Sequence, residues 1–159
     1  MKITDFIGRK AIIPELKAKD KKGAISELVK SVKSAYGLTK MSVAEVAGSV
    51  MERERVGSTG IGRGLALPHA KTPLVGKLVG AFGRSTPGLP FDSVDGDNVH
   101  LIFLILAPDK KDFIEPYHKA IQLIMEGVRA GNFCNFLKGA KTLKDLEEVF
   151  KDSEDLIKV

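Results

Sequence analysis

From Leu101 to Ala107 the chain reads Leu-Ile-Phe-Leu-Ile-Leu-Ala without a polar residue, and the run closes on Pro108-Asp109. A bilayer-spanning helix needs about 20 such residues. The run is therefore too short to cross a membrane, and Val99–Ala107 reads instead as the most apolar strand of the fold. Ahead of it, Leu78 to Gly83 has the look of a second buried strand, and Pro87 to Asp97 is rich in turn residues, with Asp95-Gly96 the strongest hairpin signal. Ala11 to Leu16 is short and mostly apolar, and Pro14 inside it suits an edge strand.

On either side of this strand block the periodicity is helical. Ala24, Ile25, Leu28, Val29, Val32 and Ala35 fall on one helix face, with Asp20 placed to cap the N-terminus and Gly37 the C-terminus. Ser42 and Glu45 have the spacing of a capping box for a second helix, which carries Val43, Val46, Ala47, Val50 and Met51 inward and should stop before Gly57. A third helix is expected near Pro116, with Ala120, Ile121, Ile124, Met125 and Val128 on its inner face. Short helices should follow over Asn132 to Leu137 and Leu143 to Phe150. Helices, then strands, then helices imply an α/β fold, a mixed central sheet with helices on both sides. With no repeat, linker or low-complexity stretch, residues 1–159 are expected to form one domain.

Charge and cysteine content narrow the function classes. The formal charge is +5, from 25 Lys and Arg against 20 Asp and Glu, but the bases are interleaved with acids on helical surfaces. Aromatics are 6% and there is no Trp, so base-stacking platforms are scarce and no nucleic-acid partner is expected. Cys134 is the single cysteine; it excludes an internal disulfide and reads as a small residue buried beside Phe133 and Phe136. With no charged-then-apolar leader in Met-Lys-Ile-Thr-Asp-Phe, a cytoplasmic location is expected.

The chemistry concentrates around residues 53–69. Gly57, Gly60, Gly62 and Gly64 are four glycines in eight residues, and Ser58 and Thr59 add two hydroxyls. Such a loop can present backbone N–H groups to phosphoryl oxygens. It lacks the Gly-Lys-Ser/Thr of a P-loop and the dinucleotide fingerprint. No nucleotide or Mg²⁺ site is legible, and no metal or cofactor is expected. The loop runs into Leu65-Ala66-Leu67-Pro68-His69, which places His69 at the end of a strand. Histidine is both largely neutral and nucleophilic near pH 7, although a lone histidine is as well explained by a structural hydrogen bond. Arg53, at the end of the second helix, offers a fixed cation with a fork suited to phosphate, or else a surface ion pair with Glu52 or Glu54.

Glu54, six spacers, Ile61-Gly62, two spacers, then Leu65-Ala66-Leu67-Pro68-His69-Ala70 resembles the active-site signature of the fructose/mannitol-type enzyme IIA domains. These belong to the bacterial phosphoenolpyruvate-dependent phosphotransferase system and include the nitrogen-regulatory IIA proteins. Arg53-Glu54, Gly57-Ser58-Thr59-Gly60, Pro90-Phe91-Asp92-Ser93 and the strand closing in Ala107-Pro108 follow in the family's order, so the resemblance covers nearly the whole chain. It implies that His69 accepts a phosphoryl group from the phosphocarrier HPr, or a nitrogen-branch counterpart, and hands it to a IIB component. Arg53 would hold the phosphoryl group, His118 would be the second histidine of the site, and Ser58, Thr59, Gly60 and Gly62 would bind phosphoryl oxygens. His118 is expected in the first turn of its helix, where the positive dipole end favours an anion. His100 has no counterpart in the signature and is expected to be structural.

The chain departs from the pattern at two places. Tyr117-His118-Lys119 stands where many members follow the second histidine with an aliphatic residue, and Arg63 stands where a neutral polar residue is common. Arg63 would add positive charge beside the site, either tightening phosphate binding or pointing to solvent. The expected role is that of a phosphotransferase in sugar uptake, touching a membrane only through a partner transporter. The alternative is a regulatory protein whose His69 phosphorylation state controls binding to transporters or kinases, with no sugar involved.

Overall fold

The computed structural model describes residues 1–158. Its centre is β6 (Val99–Ala107), and the residues of that strand divide between two cores. Ile102, Leu104 and Leu106 point to one layer, while Leu101, Phe103, Ile105 and Ala107 point to the other. Side chains alternate across a strand, so a strand covered on both faces has no place for a polar residue. That is the physical reason for the unbroken apolar run.

The sheet has the order β1-β5-β6-β3-β2, with β4 also paired to β6. β1 (Ile12–Ile13) is a parallel edge strand on β5 (Val79–Leu89), and β5 and β6 form a long antiparallel pair. β2 (Gly60–Gly62) runs antiparallel to β3 (Leu65–Ala66), and both β3 and β4 (His69–Lys71) run parallel to β6. β5 continues past Gly83, through Pro87, into what the sequence marks as turn. The register slips between Arg84 and Leu89, and this bulge accommodates Pro87 and the left-handed Gly88. His100 fills the space beside it. Its Nδ1 meets the Ser85 carbonyl at 3.0 Å, and a Cβ on Gly88 would stand 2.7 Å from the ring, so this histidine is structural as expected.

One layer is formed by α1 (Lys21–Ala35) and α2 (Val43–Val56). The caps stand where the sequence signals them, with the Ser42 cap made by its own hydroxyl and not by a reciprocal box with the Glu45 side chain. Asp20 Oδ1 accepts the Gly23 N–H, Ser42 Oγ accepts the Glu45 N–H, and Gly37 at φ +63° ends α1 with its N–H donating to the Ser34 carbonyl. The other layer holds α3 (Ile114–Ala130), α4 (Asn132–Gly139), α5 (Leu143–Lys151) and α6 (Ser153–Lys158), the last not anticipated. Phe82, Phe103, Phe133 and Phe150 stack at its centre. Cys134 is buried there, but Phe136 is 54% exposed rather than packed beside it. Burial pushes the Cys134 thiol up, away from nucleophilic character.

α3 begins at Ile114, preceded by a 3-10 turn over Lys111–Phe113, so its start lies ahead of Pro116. His118 consequently sits in the second turn, one turn further in than expected. The free N–H groups of the helix end belong to earlier residues, so the dipole favours an anion at His118 less than supposed. No helix among the described residues is long and apolar enough to cross a membrane.

Candidate functional site

His69 does not end a strand; it opens β4. β3 pairs Leu65 with Leu101 and Ala66 with Ile102, and β4 pairs His69 with Ile105, so the chain keeps one register along β6 across the Leu67-Pro68 break. Pro68 has no N–H to give the sheet, and its carbonyl accepts the Ile105 N–H. The Leu67 carbonyl is thereby left to the imidazole, and His69 Nδ1 lies 2.7 Å from it. A carbonyl accepts only from a protonated nitrogen, which assigns the hydrogen to Nδ1 and the lone pair to Nε2. The nitrogen that keeps the free lone pair is thus set by the backbone two residues back.

Beneath this lies a relay the sequence reading did not assign. Glu54 is 6% exposed in the last turn of α2 and accepts both the Thr59 N–H (2.8 Å) and the Thr59 hydroxyl (2.6 Å). The Thr59 carbonyl accepts the Leu67 N–H at 3.0 Å, and the Leu67 carbonyl holds His69. The end of α2 is therefore tied to the imidazole through three hydrogen-bonded links. Glu54 follows Val50 by four residues on the inward stripe of α2, and a carboxylate continuing an apolar stripe is the signal that marks it.

The glycine-rich segment is braced internally. Ser58 Oγ donates to the Phe91 carbonyl at 2.6 Å and accepts the Gly60 N–H at 3.0 Å. Gly60 lies so close to Ser93 that a Cβ would stand 2.9 Å from the Ser93 Cα. Gly62, at φ +92°, faces the Asp95 carboxylate. The N–H groups of Thr59 and Gly60 and the hydroxyls of Ser58 and Thr59, expected to be open to a phosphoryl group, are spent on the protein itself. Gly60 and Gly62 serve close packing against the Ser93–Asp95 segment, while Gly64 packs on His100.

Arg53 Nη1 donates to the Gly57 carbonyl at 2.8 Å, folding the guanidinium over the end of its own helix. Neither ion pair open to it in sequence is made. Glu52 pairs with Arg55, and Glu54 is taken by Thr59. Arg63 lies elsewhere. It occupies the β2–β3 turn at φ +58°, its N–H donates to Asp95, and its carbonyl accepts from Lys138. Leu65 and His69 pair four residues apart on β6. At strand rise that places the turn roughly 13 Å or more from His69, so its backbone does not adjoin the site.

On the other side of His69 stands α3. The ring of Tyr117 meets the His69 ring edge-on, 5.8 Å between centroids at 62°, and lies 5.8 Å from the ring of His118. Tyr117 is buried and His118 exposed. Tyr117 falls on the inward stripe of α3, three residues before Ala120, where its place in the core is legible in retrospect.

The His69 pKa is lowered. Burial is the main cause, and the nearby charges of Arg53 and His118 push the same way. The Leu67 carbonyl and Glu54 oppose them. The imidazole should therefore stay neutral below the ordinary histidine midpoint of about 6.5. An NMR titration of His69 is expected to give a midpoint below that value. The sign for stability follows: between the lowered midpoint and about 6.5 the unfolded chain binds a proton that the folded chain does not, so stability rises with pH across that window.

Residues 5–153 match the family model described as phosphoenolpyruvate-dependent sugar phosphotransferase system, EIIA 2. A nitrogen regulatory protein of Bradyrhizobium diazoefficiens is 40% identical over 109 residues, spanning 69% of this chain and 69% of that protein. The crystal structure of nitrogen regulatory protein IIA-Ntr from Neisseria meningitidis superimposes with a TM-score of 0.77 at 23% identity, covering 93% of this chain and 98% of that one. The complex of enzyme IIAMTL and phosphorylated enzyme IIBMTL from Escherichia coli gives 0.72 at 19% identity, covering 91% and 96%. At such identities the two structures speak to the fold alone, and they bear out the mixed sheet between helical layers.

Proposed function

This chain belongs to the EIIA 2 family of the phosphoenolpyruvate-dependent sugar phosphotransferase system, and we propose that His69 is its phosphoryl acceptor, charged by an HPr-like phosphocarrier and discharged to a IIB component. The observation that carries this is the Leu67 carbonyl on His69 Nδ1, which leaves Nε2 as a neutral, oriented nucleophile within the field of Arg53, a cation that makes no ion pair with Glu52 or Glu54. In the transfer, the P–N bond of the donor phosphohistidine breaks as the bond from phosphorus to Nε2 forms. The transition state is loose, so the protein mainly supplies position and compensation for the negative oxygens. Arg53 supplies the charge. His118, exposed beside Tyr117, stands at the mouth as the second histidine. Ser58, Thr59, Gly60 and Gly62 act by holding the strand break in place. The mannitol relative is solved together with a phosphorylated IIB, which supports a IIB acceptor here. These partners and the chemistry belong to the cytoplasm.

Incubation with phosphoenolpyruvate, enzyme I and HPr, followed by intact mass, tests the proposal. One acid-labile phosphoryl group is expected, and none with either HPr or its nitrogen-branch counterpart would overturn it. Replacing Arg53 with Ala should slow acceptance about 100-fold, the usual effect of losing one preorganised electrostatic group. Arg53→Lys should fall between, keeping the charge but not the fork. A time course of phosphoryl incorporation measures both.

A second reading is favoured by the nitrogen regulatory names of the Bradyrhizobium and Neisseria proteins. In it the phosphoryl group is the signal, changing the charge at the mouth of the site by about two and so docking or releasing a partner. Addition of IIB components separates the two. Discharge to one assigns a place in uptake, while a stable phosphoprotein that gains or loses affinity for a regulatory target assigns signalling.

A further inference from the structure

We propose that the Tyr117 hydroxyl donates a hydrogen bond to the phosphoryl group carried on His69, as the neutral donor of a site whose charged donor is Arg53. The inference rests on the reading of His69 as phosphoryl acceptor. Three observations carry it.

The first is placement. The phenol ring lies edge-on against His69, its centroid 5.8 Å from that of His118, and the Arg53 charge acts on both His69 and Tyr117. The phenol therefore stands among the groups that surround the nucleophile.

The second is an unspent donor. Buried phenols normally find a partner for the hydroxyl. The chain's other tyrosine does: Tyr36 Oη accepts the Gly8 N–H at 2.9 Å and donates toward the carbonyls of Phe6 and Gly80. Tyr117 is 6% exposed, yet its hydroxyl has no partner among the described residues. Nor is that oxygen among the sealed, unpaired polar atoms, so the ring is buried and its tip keeps access to solvent. A structural tyrosine has no need of such an arrangement. A donor waiting for a ligand has.

The third is the shortage of other donors. The hydroxyls of Ser58 and Thr59 and the N–H groups of Thr59 and Gly60 are committed elsewhere, so the glycine-rich loop leaves phosphoryl oxygens short of partners. Burial also pushes the Tyr117 pKa up to about 12, so the phenol keeps its proton at any working pH. It neither takes nor gives a proton in the transfer. It holds an oxygen of the moving group, a contact that forms only as that group arrives and so favours the transition state and phosphoprotein over the free site.

The test is Tyr117→Phe, which keeps the ring and its packing and removes only the oxygen. Phosphoramidate serves as donor, so no docking surface is involved. Its P–N bond breaks as the bond to Nε2 forms, and ammonia leaves. Loss of a hydrogen bond to a charged group should slow incorporation roughly 10- to 100-fold and shift the phosphohistidine ³¹P resonance. The His69 NMR titration midpoint of the free protein should stay at its wild-type position. Incorporation at the wild-type rate overturns the proposal. So does a slowing accompanied by a moved His69 midpoint, which assigns Tyr117 to packing alone. If wild type takes no phosphoryl group from phosphoramidate or from HPr, the reading of His69 falls, and this inference falls with it.

Discussion

His69→Ala is expected to abolish phosphoryl acceptance and leave the fold in place. No other side chain is equipped to replace the nucleophile. His100 stands at the far end of β6 with its Nε2 packed against Gly88, and the Cys134 thiol is buried with its pKa raised. His118 is exposed, but no backbone carbonyl among the described residues is set on one of its nitrogens to direct the other at a donor. The fold should tolerate the change because β4 is held to β6 by its backbone, and the side chain lost makes one hydrogen bond, to Leu67. That loss costs about 1 kcal/mol against a domain stability of roughly 5–15 kcal/mol. Intact mass after incubation with phosphoenolpyruvate, enzyme I and HPr, with circular dichroism as the fold control, reads the result. An acid-labile phosphoryl group on the variant would move the acceptor to another residue. The variant should also lose the rise in stability between the lowered His69 midpoint and about 6.5, because that window belongs to His69.

How much of this was legible in the sequence depended on whether a signal was local. Caps, helical stripes and the apolar run of β6 are written in neighbouring residues, and they reappear at Asp20, Ser42, Gly37 and Leu101–Ala107. The proposed acceptor also stood out in the sequence, since His69 lies in a long punctuated signature that closes on Ala70. The fate of the loop's donors was not. Counting glycines and hydroxyls between Gly57 and Gly64 says that donors exist, but not that Glu54, Phe91 and Ser58 itself already hold them. The same blindness put the Arg63 charge beside the site, either tightening phosphate binding or pointing to solvent. The β2–β3 hairpin instead carries it to the other end of β6. The Leu67-Pro68 break shows the limit most clearly. Proline reads as an interruption, whereas the sheet resumes in register and uses the freed carbonyl to orient the imidazole.

Glu54 is where stability and chemistry meet, and Glu54→Leu should damage both. The substitution strands the Thr59 N–H and hydroxyl, and Thr59 is 4% exposed, so water cannot replace the lost acceptor. Each buried, unsatisfied donor costs about 1–3 kcal/mol. Leucine returns about 1.5–3 kcal/mol through its own burial, which leaves a net loss of roughly 1–3 kcal/mol, measured as a lower urea midpoint. The rate should suffer more. Without Glu54, Thr59 is no longer fixed, nor are the Leu67 N–H it receives and the carbonyl that aims His69. A displacement of the nucleophile by about 1 Å costs on the order of 100-fold. Glu54→Gln separates position from charge. Its amide oxygen can still accept the Thr59 N–H while its NH2 donates to the Thr59 hydroxyl oxygen, so stability and rate should largely return. Glu54 raises the His69 pKa, so removing its charge should move the His69 midpoint lower still. Recovery of rate in the Gln variant together with a lower His69 midpoint identifies Glu54 as the residue that positions the imidazole. If both variants lose the rate equally, the carboxylate charge itself takes part in the transfer, and the relay from α2 to His69 is not what sets it.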